Sequence, residues 1–246
     1  MISMRQDLND TKRISSPRND QTLVFLVRHA QTAWNLERRF QGQLDVPLSA
    51  RGLEQAAIVA DWLKNQPVQY AALYTSDLAR ARHTAQLIGE RLGLLPQASE
   101  ALREINAGEW QGLLTVEIEE HYPGQMLRWH REPHDFRLPG GETIPEVQAR
   151  VLSWYRGAVA AHRGQAILAV SHGLAIRTLL AALNGWDVAD AEAMKAAGLD
   201  NTGVAVMLAD HSNGHDSMLL LNYLGHLEDA AGHQVATERA DEPTTV

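Results

Sequence analysis

Two histidines and two arginines stand where they could bind and attack an anion. Arg28 and His29 directly follow the apolar run "LVFLV", and His172 follows the apolar run in "AILAVSHG". Arg80 lies in "TSDLARARHTAQLIG", shortly after another apolar run. Because a buried charge is costly unless something compensates it, the sequence predicts an anion at this place.

Two imidazoles beside arginines leave three kinds of site open. They could form a metal site, a general acid/base pair, or an anion site with a histidine nucleophile. The metal site is disfavoured because arginine repels a cation and neither His29 nor His172 has a carboxylate or a histidine at ligand spacing. Arg80 would lie near a helix N-terminus, where backbone N–H groups favour anions, and its guanidinium suits phosphate oxygens.

An alternation of strands and helices positions these residues. The apolar runs predict strands at residues 22–27, 72–75, 166–171, 204–208 and 217–223. Helical patterns lie between them, one with Ser49 as N-cap in "PLSARGLEQAAIVADWLKNQ" and one ending at Gly93. Such an alternation is typical of an α/β fold with a mostly parallel sheet. Ligands of these folds bind beyond the carboxyl ends of the strands, where Arg28, His29 and His172 fall.

Composition narrows the class of protein. The chain has 246 residues, no cysteine and a formal net charge of −8, which disfavours binding to nucleic acid or an anionic membrane. No apolar run reaches the roughly 18–20 residues of a membrane span. We expect a single cytoplasmic domain over residues 21–227, with flexible tails at 1–20 and 228–246. The sequence carries no signal for the oligomeric state.

The motifs together resemble those of a known family. "LVRHAQTAWN", "FQGQLDVPLSARGLEQA", "YTSDLARARHTA", "LREINAGEWQG", "LPGGET" and "VSHG" occur in the order found in the histidine phosphatase superfamily. This superfamily also contains the cofactor-dependent phosphoglycerate mutases, and the resemblance covers residues 23–227. It implies a three-layer α/β/α sandwich and a metal-independent phosphomonoesterase without a cofactor, acting on a small phosphorylated metabolite.

The resemblance also implies roles for individual residues. His29 corresponds to the nucleophile that is phosphorylated during turnover, and Glu104 to the proton-donating glutamate. The implied phosphate-binding residues are Arg28, Asn35, Gln41, Gly42, Arg80, His172 and Gly173. Neighbouring arginines would keep His29 neutral for attack, and the phosphate dianion would favour a protonated Glu104. Water would then attack the phosphohistidine, with Glu104 as base.

Some positions depart from the family pattern. Ala30 replaces the usual glycine, at a cost of about 1 kcal/mol if a positive φ or a very close approach to phosphate is required there. Ala107 stands where the mutases usually carry a tyrosine, and Arg128 and Arg131 are separated where the mutases carry an adjacent arginine pair. Phosphate hydrolysis is therefore favoured over the phosphoglycerate mutase reaction. A non-catalytic phosphate-binding module stays open as an alternative of another class.

Substrate identity should lie in the segment that covers the site, predicted at about residues 105–145. Its aromatic and histidine residues could pack the lid or contact the substrate: Trp110, Tyr122, Trp129, His130 and His134. A sugar phosphate, a phosphoglycerate derivative and a nucleotide-like ester are all open. "RHAQT" with "QGQLDVPLS" resembles the branch that includes broad-specificity and glucosyl-phosphoglycerate phosphatases.

Overall fold

A six-stranded sheet forms the centre of the computed structural model, which describes residues 10–231. The strands are β1 (Gln21–Arg28), β2 (Tyr70–Thr75), β3 (Pro96–Ala98), β4 (Ala166–Ser171), β5 (Val204–Asp210) and β6 (His215–Tyr223). Their order across the sheet is β3-β2-β4-β1-β5-β6. The first four strands in this order run parallel, whereas β5 is antiparallel to β1 and β6 is antiparallel to β5. The predicted mostly parallel sheet is confirmed; the three-residue edge strand β3 was not predicted.

Helices connect these strands. They are α1 (Ala33–Glu37), α2 (Ala50–Lys64), α3 (Ala79–Leu92), α4 (Thr115–His121), α5 (Gln125–Arg131), α6 (Ile144–Ala161), α7 (Gly173–Asn184), α8 (Ala191–Ala196) and α9 (Gly225–Ala231), with short 3-10 turns at Thr11–Arg13, Glu100–Leu102 and Gly108–Trp110. Ser49 caps α2 by accepting a hydrogen bond from the Gly52 N–H at 3.0 Å. Gly93 ends α3 in the left-handed conformation, with φ 73°, which glycine adopts without steric cost.

The sheet is buried on both faces, as the three-layer prediction requires. Alternate residues of β1 enter opposite cores: Val24 and Leu26 lie in one and Leu23, Phe25 and Val27 in the other. The first core contains the apolar sides of α6 and α7, and the second those of α2 and α3. All eight residues of β1 are buried, which explains why this strand reads as a continuous apolar run. This rigid central strand delivers Arg28 and His29 to the sheet edge.

The N-terminal boundary differs from the predicted one. Residues 10–20 were expected to belong to a flexible tail, yet Ile14 is only 3% exposed and packs in the second core. Arg18 also forms an ion pair with Asp210 at 3.3 Å. The packed part of the chain therefore begins before residue 21. At the other end, residues 228–231 of the predicted flexible tail form the end of α9. The remaining residues of the predicted tails, 1–9 and 232–246, lie outside the described residues.

The described helices also bear on the membrane question. No helix within residues 10–231 is long and apolar enough to cross a membrane.

Candidate active site

A cleft opens at the carboxyl ends of β1 and β4. Arg28, the last residue of β1, pairs in register with Ser171, the last residue of β4. The cleft has an empty volume of about 710 Å³, including open solvent at its mouth. Seven of the predicted site residues line it: Arg28, His29, Asn35, Gln41, Gly42, Arg80 and Glu104. Residues separated by up to 76 positions, the interval from Arg28 to Glu104, thus share one wall.

His29 is held with one ring nitrogen available as a nucleophile. Its Nδ1 lies 2.8 Å from the Ala30 carbonyl oxygen, so Nδ1 must carry the proton and donate it. The Nε of Arg80 donates to His29 Nε2 at 3.3 Å, which requires a lone pair on Nε2. Burial, followed by the charges of Arg80 and Arg28, lowers the pKa of His29 well below its usual value. His29 is therefore neutral at neutral pH, with the tautomer that nucleophilic attack by Nε2 requires.

Arg80 is a buried cation whose guanidinium is fixed by backbone carbonyls. It is 1% exposed, and its Nη1 and Nη2 donate to the carbonyl oxygens of Leu44 at 2.9 Å and Gly42 at 2.8 Å. Burial lowers the pKa of Arg80 to about 10, against the opposing effect of Glu104. Arg80 remains charged at neutral pH and is oriented before any substrate arrives, which is the arrangement that electrostatic catalysis needs.

Asn35 presents its amide group through a helix cap. The backbone N–H of Asn35 donates to Thr32 Oγ1 at 3.2 Å, and the Thr32 N–H donates to Asn35 Oδ1 at 2.9 Å. This capping box occupies Oδ1 and leaves Nδ2 as a donor for an anion. The Thr32 hydroxyl also donates to Gln41 Oε1 at 3.1 Å, so α1 orients two of the predicted phosphate ligands.

Ala30 fits its position without backbone strain. It is fully buried and does not have a positive φ. Its N–H donates to Thr84 Oγ1 at 3.1 Å, and the same hydroxyl donates to the Arg80 carbonyl at 2.8 Å. The cost predicted for a positive φ therefore does not arise here, whereas the cost predicted for a very close approach to phosphate stays a prediction.

Glu104 lies against the N-terminus of α7. Its Oε2 accepts the Leu174 N–H at 3.1 Å, and its Oε1 accepts those of Ala175 at 3.2 Å and Ile105 at 2.9 Å. A helix N-terminus favours negative charge, and the three N–H donors meet the acceptor oxygens that a carboxylate presents. In this form Glu104 can act as a general base.

His172 lies behind the cleft wall. It is fully buried, and its ring centroid is 5.1 Å from that of His29. Burial and the charge of Arg80 lower its pKa well below the usual value, and within residues 10–231 neither of its ring nitrogens has a hydrogen-bond partner. Gly173, the first residue of α7, is likewise absent from the cleft lining. Their predicted contact with phosphate stays a prediction.

The lid residues mainly pack against one another. Trp110 is fully buried, and its ring centroid lies 5.5 Å from that of Phe40 and 6.3 Å from that of Trp129. Of the five aromatic and histidine residues singled out in the predicted lid, Trp129 alone lines the cleft. Tyr122 donates to Glu109 at 2.7 Å, away from the cleft lining. Trp129 is therefore the one of these five residues at the cleft wall, although its side chain is almost fully buried.

The structure also shows where the residues that argued against a mutase lie. Ala107 is fully buried and lines the cleft, so this position offers the cleft a methyl group and no hydroxyl. The guanidinium carbon of Arg128 lies 5.4 Å from the ring centroid of Phe136, and neither Arg128 nor Arg131 lines the cleft. Arg128 and Arg131 therefore form no paired grip on a substrate in the described cleft wall.

The segment 199–203 holds the backbone and side chain of Arg28 and the backbone of His29, and it was not predicted. Arg28 Nη1 donates to the Leu199 carbonyl at 2.7 Å, and Asn201 Nδ2 donates to the His29 carbonyl at 2.9 Å. The Thr202 N–H donates to the Arg28 carbonyl at 3.1 Å. No local spacing connects this segment with "RHA", so sequence periodicity could not have identified it.

A resident metal ion finds few ligands in this part of the chain. Within residues 10–231, no group of three or more histidine, aspartate or glutamate side chains is arranged to hold one. The positive charge in the cleft comes from arginine.

A neutral buried histidine, two arginines and a facing carboxylate at the edge of an α/β sheet are groups suited to phosphoryl transfer. The family model described as histidine phosphatase superfamily (branch 1) matches residues 24–222. The chain belongs to this superfamily, and the predicted fold is confirmed with it.

Similar proteins include phosphatases and a mutase. The chain is 34% identical over 204 residues to phosphoserine phosphatase 1 of Hydrogenobacter thermophilus, covering 83% of this chain and 93% of that one. It is 34% identical over 168 residues to the 2,3-bisphosphoglycerate-dependent phosphoglycerate mutase of Methylorubrum extorquens strain PA1, covering 66% and 79%. The structure of a mycobacterial glucosyl-3-phosphoglycerate phosphatase superposes with a TM-score of 0.74 at 30% identity, covering 83% of this chain and 100% of that one. These findings confirm a phosphomonoesterase of small metabolites.

Proposed function

We propose that this protein hydrolyses a small phosphomonoester through a covalent phosphohistidine on His29, with Glu104 as the general acid and base. The observation that carries this proposal is the state of His29. Its Nδ1 donates to the Ala30 carbonyl at 2.8 Å and its Nε2 accepts from Arg80 at 3.3 Å, within the cleft lining. Nε2 thus has a lone pair beside a fixed cation that would draw in a phosphate.

In the first step, His29 Nε2 forms a bond to phosphorus and the ester P–O bond breaks. Arg28, Arg80 and Asn35 would meet the charge on the phosphoryl oxygens. Glu104, protonated beside the phosphate dianion, gives its proton to the leaving alkoxide. In the second step, Glu104 takes a proton from water as the water oxygen attacks phosphorus, the N–P bond breaks, and inorganic phosphate leaves.

The substrate class we infer is a sugar phosphate or a phosphoglycerate derivative. The similar phosphatases are named for phosphoserine and glucosyl-3-phosphoglycerate, and both molecules carry a carboxylate as well as a phosphate. Arg38, an exposed residue, lines the cleft beside the phosphate-binding residues. Its charge is placed for a second anionic group on the substrate. We expect the reaction to occur in the cytoplasm.

Because a phosphoglycerate mutase is among the similar proteins, the mutase reaction is the second candidate function. Two observations weaken it: Ala107 occupies the mutase tyrosine position, and Arg128 packs on Phe136 rather than lining the cleft. A mutase must also shield its phosphohistidine from water, which an open cleft does poorly. A non-catalytic module is disfavoured because His29 and Glu104 are both present and both line the cleft.

Phosphate release from a panel of phosphomonoesters, measured with EDTA present, tests the proposal. The panel contains phosphoserine, 3-phosphoglycerate, a sugar phosphate and a nucleoside monophosphate. We expect His29→Ala to abolish turnover and Glu104→Gln to lower it about 10²–10⁴-fold, whereas His83→Ala, at an exposed position on α3, should match the wild type.

Three results would contradict the proposal. Full activity of His29→Ala would exclude the covalent step. Loss of activity with EDTA would contradict the metal-independent reaction. Interconversion of 3-phosphoglycerate and 2-phosphoglycerate faster than phosphate release would favour the mutase. Rapid quenching in alkaline denaturant during turnover should also trap a phosphohistidine, which is stable to base and labile to acid, on the peptide that contains His29.

A further inference from the structure

Arg150 on α6 holds the backbone that carries Glu104. Its Nη1 donates to the carbonyl oxygens of Ala101 at 3.0 Å and Arg103 at 2.6 Å, and its Nη2 donates to that of Glu104 at 2.9 Å. Three carbonyls within four residues thus point at one guanidinium. The segment before Glu104 is only a 3-10 turn, so it has no helix or sheet ladder of its own at this point.

Glu142 in turn orients Arg150. Its Oε1 accepts from Arg150 Nε at 2.9 Å and its Oε2 from Nη2 at 3.0 Å, a bidentate pair. The same Oε2 accepts the Asn106 N–H at 2.8 Å. The side chains of Arg150 and Glu142 are 21% and 23% exposed, so water screens this pair only in part. Glu142 belongs to the motif "LPGGET", which thereby connects the lid to the Glu104 segment.

All five N–H donors of Arg150 are used in these contacts. Nε serves Glu142, Nη1 serves two carbonyls, and Nη2 serves one carbonyl and Glu142. A lysine has three donors on a single atom and cannot reproduce this planar fork. The arrangement therefore specifies the position of the 101–104 backbone more narrowly than a single charge could.

The position of this backbone matters because it sets where the Glu104 carboxylate lies in the cleft. Its carboxylate lies within 3.2 Å of the Leu174 and Ala175 N–H groups and lines the cleft beside His29. Proton transfer requires hydrogen-bond contact with the leaving oxygen, and a misplacement of about 1 Å can cost about 10²-fold in rate.

We propose that Arg150, oriented by Glu142, is a positioning residue that places Glu104 for proton transfer to the leaving group. The proposal rests on the role of Glu104 in the proposed function. Arg150 does not line the cleft, so it acts through Glu104 rather than on the substrate.

The leaving group provides the test. An alkyl phosphomonoester such as phosphoserine needs a proton on its leaving alkoxide, whereas p-nitrophenyl phosphate releases a stable nitrophenolate and needs little help from an acid. We expect Arg150→Met to lower kcat/KM about 10- to 100-fold for phosphoserine and less than about threefold for p-nitrophenyl phosphate. Arg156→Met, at an exposed position on the same helix, is the matched control and should leave both substrates unchanged.

A double variant separates positioning from general damage. If Arg150 acts through Glu104, Arg150→Met should cause almost no further loss for phosphoserine when Glu104 is already glutamine. An equal loss on both substrates would overturn the proposal, because misfolding or a changed charge near His29 would affect phosphoryl transfer whatever the leaving group. Arg150→Met without any loss would overturn it as well.

Two milder variants cover the case in which Arg150→Met does not fold. Glu142→Gln keeps one acceptor oxygen, and Arg150→Lys keeps the charge; each should show a smaller loss with the same preference for p-nitrophenyl phosphate. Equal losses on both substrates would again count against the proposal. If Glu104→Gln itself shows no selective loss on phosphoserine, the assignment of Glu104 as general acid fails, which is a separate result.

Discussion

Arg80→Lys keeps a positive charge in the cleft and removes the guanidinium geometry. The wild-type side chain donates to His29 Nε2 at 3.3 Å and to the carbonyls of Leu44 at 2.9 Å and Gly42 at 2.8 Å. A lysine ammonium sits at one point and can retain about one of these three contacts. Because hydrogen bonds to charged groups are worth about 1.5–3 kcal/mol, two lost bonds should reduce the free energy of unfolding by roughly 3 kcal/mol.

The catalytic rate should fall as well as the free energy of unfolding. Removing one preorganised donor to a developing anion costs about 10²–10³ in rate, so we expect Arg80→Lys to lower kcat/KM for phosphoserine by that factor. Steady-state kinetics and urea unfolding, measured on the same preparation, give the two quantities. Arg82→Lys is the control, since Arg82 is exposed on the same helix and should change neither.

A neutral substitution at the same position tests the electrostatics of His29. The charge of Arg80 lowers the pKa of His29, second to burial. Arg80→Met should therefore raise this pKa and move the acidic limb of the kcat/KM profile to higher pH, without restoring the usual value because burial persists. If Arg80→Lys keeps kcat/KM within threefold of the wild type, or if Arg80→Met leaves the acidic limb in place, the assignment of Arg80 is refuted.

Three further predictions concern other parts of the structure. Burial lowers the pKa of His226 from 6.5 to about 4, so the unfolded chain takes up the proton first as the pH falls. The free energy of unfolding should therefore decrease between pH 6.5 and 4, by roughly 2 kcal/mol at pH 5. Urea titrations should show a smaller pH dependence for His226→Leu. A Cβ on Gly42, with φ +51°, would lie 2.4 Å from Gln111 Oε1, so Gly42→Ala should lower kcat/KM about 10-fold and should lower the melting temperature; unchanged kinetics would contradict the role of this turn. Arg38→Asn should raise KM severalfold for phosphoserine and leave KM for p-nitrophenyl phosphate unchanged, and equal effects on both substrates would argue against a second anion site.

The central elements could be predicted because their signals are local. Residues 23–27 are five consecutive apolar residues in a strand that is buried on both faces. Gly93 ends α3 because glycine readily adopts a positive φ. The edge strand β3 carries no such signal: it has three residues, includes Pro96 and is partly exposed, so it is recognised only through its pairing with β2.

Some residues of the cleft could likewise be predicted from local motifs, whereas the residues that support them could not. Arg28, His29 and Glu104 are recognisable because each belongs to a short motif that the family repeats. Asn201 and Arg150 support them from distant parts of the chain through bonds to backbone carbonyls. Carbonyl oxygens exist at every residue, so no side-chain pattern marks which of them will be bound. Positioning groups of this kind become visible only when the fold is known.

The bond between Asn201 and His29 also determines when the site is completed during folding. It joins positions 172 residues apart, and contacts of such long range form late because closing the intervening loop costs conformational entropy. A nascent chain already holds "RHA", α3 and Glu104 before segment 199–203 has been synthesised, yet the nucleophile loop is not fixed until that segment arrives. Under the proposed mechanism, catalytic competence thus requires segment 199–203 as well as the "RHA" motif.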